Sequence, residues 1–289
     1  MAGRRSLYPA AMRLFLLCTL TMIAFAANSV LNRLALADGA MGPSGFAAIR
    51  LVSGAAVLVG LSALTRGGVG WRGRGRLAGT LSLALYVIGF SFAYVSLPSG
   101  VGALVLFGGV QVTMFAGALM MGEAVPARRW LGAAMGFAGL LYLLWPGGGT
   151  APALAGCVLM GAAALGWGTY SLLGRAAGDP LQSTAANFAL AAPLGLVAFA
   201  VLPDGVTTRG VALAAVSGGL TSGLGYALWY TILPRLGAAR AAVAQLTVPV
   251  IALAGGMAFL DEALTPRFVI AALLVLGGVA ISLTGGRQA

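Results

Sequence analysis

The sequence predicts an all-α membrane protein of ten transmembrane helices, arranged as two inverted five-helix repeats with both termini on the cytoplasmic side (N-in and C-in). Three observations predict it: a composition that no soluble fold accommodates, ten apolar segments of spanning length, and short matched stretches in the two halves. Of the 289 residues, 60% are hydrophobic and 8% charged, where soluble domains carry roughly 25% charged residues. A soluble fold must cover its exterior with polar groups; a lipid-facing exterior removes that requirement. The 45 glycines lie inside apolar runs with Ala and Ser and show no collagen-like period. Small residues of this kind let membrane helices approach closely. Gly132/Gly136 and Gly219/Gly223 have the small-xxx-small spacing of such contacts.

A helix needs about 20 apolar residues to cross a bilayer. Ten segments qualify: 14–37, 43–64, 77–97, 101–121, 128–145, 152–173, 182–202, 210–233, 238–260 and 267–284. They are numbered here as spans 1 to 10. Span 1 has the basic start and the Ala24-Phe25-Ala26 triplet of a secretory signal. It stays apolar beyond that triplet and has a counterpart later in the chain, so it is read as a span. With the N-terminus inside, thirteen of the 17 arginines fall in inside segments, and Arg33, Arg209 and Arg267 fall outside. Arg50 lies within span 2. This asymmetry orients the chain, and it accounts for the net charge of +11 without a nucleic acid partner.

The halves 1–149 and 150–289 match at three places in the same order. Tyr94-Val95-Ser96-Leu97-Pro98 ends span 3, as Tyr230-Thr231-Ile232-Leu233-Pro234 ends span 8. Gly122-Glu123-Ala124-Val125-Pro126-Ala127-Arg128 joins spans 4 and 5, as Asp261-Glu262-Ala263-Leu264-Thr265-Pro266-Arg267 joins spans 9 and 10. Ser29-Val30-Leu31-Asn32-Arg33 ends span 1, as Ser171-Leu172-Leu173-Gly174-Arg175 ends span 6. Five spans is an odd number, so the second repeat enters the membrane upside down. Two similar halves of opposite sense can exchange conformations, opening a midplane site first to one side and then to the other.

These features together resemble the drug/metabolite transporter superfamily. The Gly-Glu…Pro-x-Arg loop, its Asp-Glu-Ala-Leu-Thr-Pro copy, Trp167-Gly168 in span 6 and Arg50 in Ala47-Ala48-Ile49-Arg50-Leu51 are similar to its EamA-type permeases, and the overall look to YddG-type amino acid exporters. The resemblance implies export of neutral and aromatic amino acids across a bacterial inner membrane. Span 1 departs from the pattern, with Phe25-Ala26 where Trp-Gly is often found.

Polar and aromatic residues inside spans are the candidates for substrate binding. Tyr226, Trp229, Tyr230 and Leu233 recur at helical spacing in span 8. Phe90 and Tyr94 are their counterparts in span 3, with Tyr86 one turn earlier. Trp167, Tyr170 and Ser171 share a face in span 6, matched by Phe25, Asn28 and Ser29 in span 1. These faces form either an aromatic-walled cavity or an interfacial belt with ordinary packing. Gln111, Asn187 and Gln245 are amides in apolar runs that hydrogen-bond either a zwitterion or a neighbouring helix. Arg50 pairs with a substrate carboxylate, snorkels to the outer surface, or bonds to a helix end. Helix-breaking residues at Gly108-Gly109 in span 4, Pro193 in span 7 and Pro249 in span 9 mark candidate hinges. Glu123 and Glu262 read as structural loop carboxylates.

The chain has no His and no Lys. Cys18 and Cys157 lack metal-ligand spacing and read as packing residues. No metal site, catalytic set, nucleotide loop or cofactor is expected. All six acids, Asp38, Glu123, Asp179, Asp204, Asp261 and Glu262, lie between spans, whereas proton-coupled transporters carry acids or His within them. The expectation is a facilitator with small-molecule substrates and membrane lipids as its partners. Exporters of other metabolites or drugs, or a membrane assembly subunit, are the alternatives. Oligomeric state is left open.

Overall fold

Backbone groups in hydrocarbon have no water to bond, so a spanning chain bonds to itself as helix. The computed structural model describes residues 10–122, 125–145, 152–174, 178–236 and 244–283, and among them all extended regular structure is helical. In order these are α1 (Ala10–Ala37), α2 (Pro43–Arg66), α3 (Arg76–Ala93), α4 (Ser99–Met120), α5 (Ala127–Leu144), α6 (Leu154–Gly174) and α7 (Pro180–Val201). Then follow α8 (Thr208–Ala215), a π-helical stretch (Val216–Leu224), α9 (Gly225–Leu236), α10 (Val248–Leu260) and α11 (Pro266–Leu283). Seven helices are long and apolar enough to cross a membrane, with Thr208–Leu236 counted as one. The chain is a multi-pass membrane protein. Of the ten expected spans, α10 and α11 are apolar but shorter, and α5 opens on Arg128 and Arg129.

Punctuation sets the helix ends. Pro43 and Pro180 sit in the first turns of α2 and α7, where a missing N–H costs nothing. The Asp179 side chain caps α7 by accepting from Gln182 N at 3.0 Å. Gly67, at φ +75°, ends α2 in the left-handed conformation that a Cβ disfavours. Four helices differ from expectation. α3 stops at Ala93, because the chain turns at residues 94–96 ahead of Pro98, and the residue before a proline avoids helical geometry. The helix of span 9 is interrupted at residues 246–247 and restarts with Pro249 in the first turn of α10; residues 238–243 lie outside the described residues. α4 runs unbroken through Gly108 and Gly109, and α7 stays helical across Pro193.

α2 packs along α7, α3 along α6, and α5 along α11. α1 packs against α8, the π stretch, α9 and α10, and α4 packs against α6 and α10. Gly132 and Gly278 sit where α5 and α11 meet, and Gly219 and Gly223 lie against Val57 of α2. Cys157 is buried and Cys18 half-buried, both as free thiols.

The bundle has two unlike ends. One holds Asp38, Asp204, Asp261 and Glu262; here the Asp204 carboxylate accepts from Ser44 N (2.7 Å) and Gly45 N (3.1 Å) at the start of α2. Glu262 accepts from Ser99 N at 2.7 Å with one oxygen and 2.9 Å with the other, at the start of α4. Arg33 donates to the carbonyls of Tyr94 and Val95, and Arg209 pairs with Asp38. Glu262 thus makes the helix-end bonds expected of it; Glu123 lies outside the described residues. The other end carries Arg66, Arg72, Arg74 and Arg76 around the loop from α2 to α3.

Candidate substrate-binding site

A charge inside an apolar bundle is costly unless its donors find acceptors. Arg50 is 0% exposed and points into the bundle, so it does not snorkel to a membrane surface. Its Nε donates to Ser222 Oγ at 3.1 Å and its Nη2 to the Tyr86 hydroxyl at 3.0 Å. The guanidinium carbon lies 5.3 Å from the Tyr86 ring centroid and 4.8 Å from that of Phe90, within cation–π range. Its Nη1 is buried without a partner, and among the described residues no carboxylate pairs with it.

The π stretch explains how Ser222 reaches this position. An i→i+5 bonding pattern widens the turn, and such stretches recur at functional sites. The widened turn sets Ser217, Thr221 and Ser222 on one side, where all three hydroxyls lie within 3.2 Å of Asn28 Oδ1. Asn28 in turn donates to the Ala24 carbonyl. A polar chain therefore runs from Arg50 through Ser222 to Asn28. Gly218 makes the approach possible: a Cβ there would meet Ser53 and the Arg50 carbonyl.

Rings wall this network. Tyr86 lies 5.0 Å from Trp167, and Trp167 stacks on Tyr226 at 5.1 Å and on Tyr170 at 5.6 Å. Phe25 contacts both Tyr226 and Trp229 at 5.7 Å, and Phe188 contacts Tyr226 at 5.8 Å. These separations suit edge-on and offset ring pairs. The rings come from α1, α3, α6, α7 and α9, so the cluster ties both halves together.

On the far side of Tyr170 a cavity of about 230 Å³ lies at the arginine end, between the loop from α2 to α3 and the ends of α6 and α7. Tyr170, Asn187 and Tyr230 line it, with Arg72, Arg74 and Arg76. The Tyr170 hydroxyl donates to Thr184 Oγ1 at 3.1 Å and accepts from Asn187 Nδ2 at 3.4 Å. Asn187 Oδ1 accepts from Arg76 Nη1 at 2.8 Å, and Arg76 Nη2 donates to the Gly70 carbonyl at 2.6 Å.

Of the expected site residues, Asn28, Arg50, Tyr86, Phe90, Trp167, Tyr226 and Trp229 come together in one buried, packed cluster. Tyr170, Asn187 and Tyr230 face the cavity beside it. Tyr94 meets Phe90 edge-on at 4.7 Å but sits at the acidic end, its hydroxyl donating to the Ser99 carbonyl. Gln111 and Gln245 are half-buried and take no part in these hydrogen bonds or ring contacts among the described residues. A Cβ on Gly109 would crowd Ala164 of α6, and one on Gly108 would approach Leu140 and Val275, which gives both glycines a packing role in α4.

Residues 154–284 match the model of the EamA-like transporter family. An uncharacterized protein of Pseudomonas aeruginosa is 48% identical over 281 residues, covering 94% of each chain. The chain belongs to the EamA-like transporter family. This EamA-like protein is also 26% identical over 224 residues to an Escherichia coli protein named "Probable amino-acid metabolite efflux pump", covering 72% of the chain and 75% of that relative. An Archaeoglobus fulgidus protein named "Uncharacterized transporter" is 27% identical over 210 residues, covering 70% and 74%. A solved crystal structure superposes with a TM-score of 0.63 at 24% identity, covering 91% of this chain and 96% of that one, and so shares the fold.

Several residues of this cluster were not named as site residues by sequence reasoning. Phe25 was noted only as the span 1 counterpart of Trp167, yet it joins the ring cluster. Ser217, Thr221 and Ser222 gave a usable signal, three hydroxyls in a glycine-rich apolar run. Phe188 and Arg76 gave none, since a Phe in a span and an Arg at a helix start are both ordinary.

Proposed function

We propose that this protein exports neutral and aromatic amino acids across a bacterial inner membrane by alternating access, as a facilitator. The observation that carries the proposal is Arg50: a fully buried guanidinium with no carboxylate partner among the described residues, one unpartnered nitrogen, and aromatic rings on several sides. A substrate carboxylate supplies the missing counter-charge and acceptors, and the rings accommodate an apolar side chain. The names of the enteric relatives, amino-acid metabolite efflux pumps, favour the same substrate class. The described acids all lie in loops or at helix ends, which favours a facilitator over a proton-coupled pump.

Alternating access rests on the inverted-repeat reading, residues 1–149 against 150–289 in ten spans. The helix packing supports it. Exchanging the halves maps the α2–α7 and α5–α11 pairs onto themselves, and α3–α6 onto the contacts of α1 with the span from α8 to α9. The arginine end then faces the cytoplasm.

The test is uptake of radiolabelled Phe, Trp, Met and Leu into proteoliposomes with no imposed gradient. Saturable uptake is expected, with Arg50→Gln lowering kcat/KM by about 30-fold or more, the equivalent of at least ~2 kcal/mol. Uptake of a lipophilic drug that amino acids do not compete with would assign the Arg50 cluster to other substrates. Flux that appears only under a pH gradient would remove the facilitator reading.

A further inference from the structure

The lining of the cavity at the arginine end includes neither Arg50 nor its hydrogen-bond partners Tyr86 and Ser222. Among the described residues, its lining carries three arginines against one acid, Asp179. That acid is already engaged, with Oδ2 paired to Arg66 at 2.8 Å and Oδ1 capping α7. Arg76 is tied to Gly70, Ser183 and Asn187, while its Nε is buried and without a partner. Arg72 and Arg74 are exposed, and neither has a hydrogen-bond or ion-pair partner among the described residues. The opposite wall is phenolic, from Tyr170 and Tyr230. Concentrated positive charge beside aromatic faces selects an anion with an apolar body. The volume of about 230 Å³ is below the roughly 300–1,000 Å³ of drug-sized pockets, which favours a solute of amino acid size.

We infer that this cavity is a second substrate station: Arg72 and Arg74 receive the carboxylate and Tyr170 and Tyr230 the side chain, before the solute passes to the Arg50 cluster. The inference rests on the transport reading above. The Tyr170–Trp167–Tyr226 stack is the partition between the two stations. Tyr170 is held by Thr184 and by Asn187, and Asn187 by Arg76. A carboxylate that draws on Arg76 thereby loosens the tether of the partition.

The station is testable without measuring flux. In the full chain carrying Cys18→Ala and Cys157→Ala, Leu173→Cys places one thiol in the cavity wall. Its reaction with a thiosulfonate reagent is followed in lipid-free detergent and in phosphatidylglycerol nanodiscs. L-phenylalanine and 3-phenylpropionate are expected to slow labelling, and phenylalanine amide, which lacks the carboxylate, to have little effect. Arg72→Gln with Arg74→Gln is expected to raise the protecting concentration about tenfold, and an anionic reagent to outpace a cationic one only while both arginines are present. Equal protection by the amide, or protection unchanged in the double variant, overturns the inference. So does a thiol already shielded in phosphatidylglycerol nanodiscs without added solute, which would make lipid phosphate the occupant. Protection by 3-phenylpropionate with no amino acid flux in proteoliposomes would keep the station and reject the amino acid reading; flux without protection would do the reverse.

Discussion

The two ends of the bundle are built from the same parts, helix termini joined by short loops, yet they are held in opposite ways. At the acidic end, the carboxylates of Asp204 and Glu262 reach across and sit on the N-termini of α2 and α4. A helix N-terminus offers unpaired N–H groups and a partial positive charge, so each contact closes the end and satisfies the helix at once. At the arginine end, exposed guanidinium groups repel one another around a cavity. Charge of one sign on helix ends closes a surface, and charge of one sign on a loop keeps it open to an anion. In the orientation proposed above, this is a state closed to the outside and approachable from the cytoplasm.

The strongest way to break the comparison is at Asp204. Its short side chain meets two backbone N–H groups and lies 2.6 Å from Ser44 Oγ, whose single hydrogen it shares with the Leu202 carbonyl. Hydrogen bonds to a charged acceptor are worth about 1.5–3 kcal/mol. Asp204→Asn is therefore expected to cost about 2–3 kcal/mol, read as a lower Tm in one detergent. It is also expected to expose the buried Leu97 position, so that a thiol introduced by Leu97→Cys labels several-fold faster. An unchanged labelling rate would mean that the acidic end is closed by apolar packing.

Glu262→Gln should act in the same direction and less strongly, by about 1–2 kcal/mol. Its two oxygens share a single backbone N–H, that of Ser99, and the longer side chain gives up more rotamer freedom to make the contact. The melting temperature checks it, with Asp204→Asn measured beside it. An effect larger than that of Asp204→Asn would shift the main closure from α2 to α4.

This contrast was only partly legible in the sequence. The extent of α2 was readable, because an apolar run bounded by Pro43 and Gly67 has its stops written in residue type. Arg50 was readable as an anomaly, a charge within an apolar run. Its direction was not, since its partners Tyr86 and Ser222 are 36 and 172 residues away. Hydropathy has no means of separating an α from a π turn, so the stretch that aims Ser222 at Arg50 was invisible. The same blindness extended span 3 through Leu97. The five acids among the described residues lie between helices as expected, but which helix Asp179, Asp204 and Glu262 cap is a tertiary fact. The faces of Tyr86, Phe90, Tyr226 and Trp229 followed from helical spacing, and those are residues that meet in the cluster around Arg50.

The smallest expected effect sharpens the contrast from the other end. Arg66 and Asp179 form an ion pair at 2.8 Å, but their side chains are 50% and 31% exposed. A pair open to water gains little, because solvent screens it and ordering two side chains opposes it. Asp179 also keeps its cap on α7 without Arg66, through the Gln182 N–H. Arg66→Gln is therefore expected to change stability by no more than about 0.5 kcal/mol, a shift in Tm near the resolution of the measurement. It should leave labelling of the thiol introduced by Leu173→Cys unaltered. A loss comparable to that of Asp204→Asn would mean that both ends are held by charge to the same degree, and the asymmetry that makes one end approachable would have to come from the loop backbone at Gly67 and Gly75, both at φ +75°, rather than from the placement of the carboxylates.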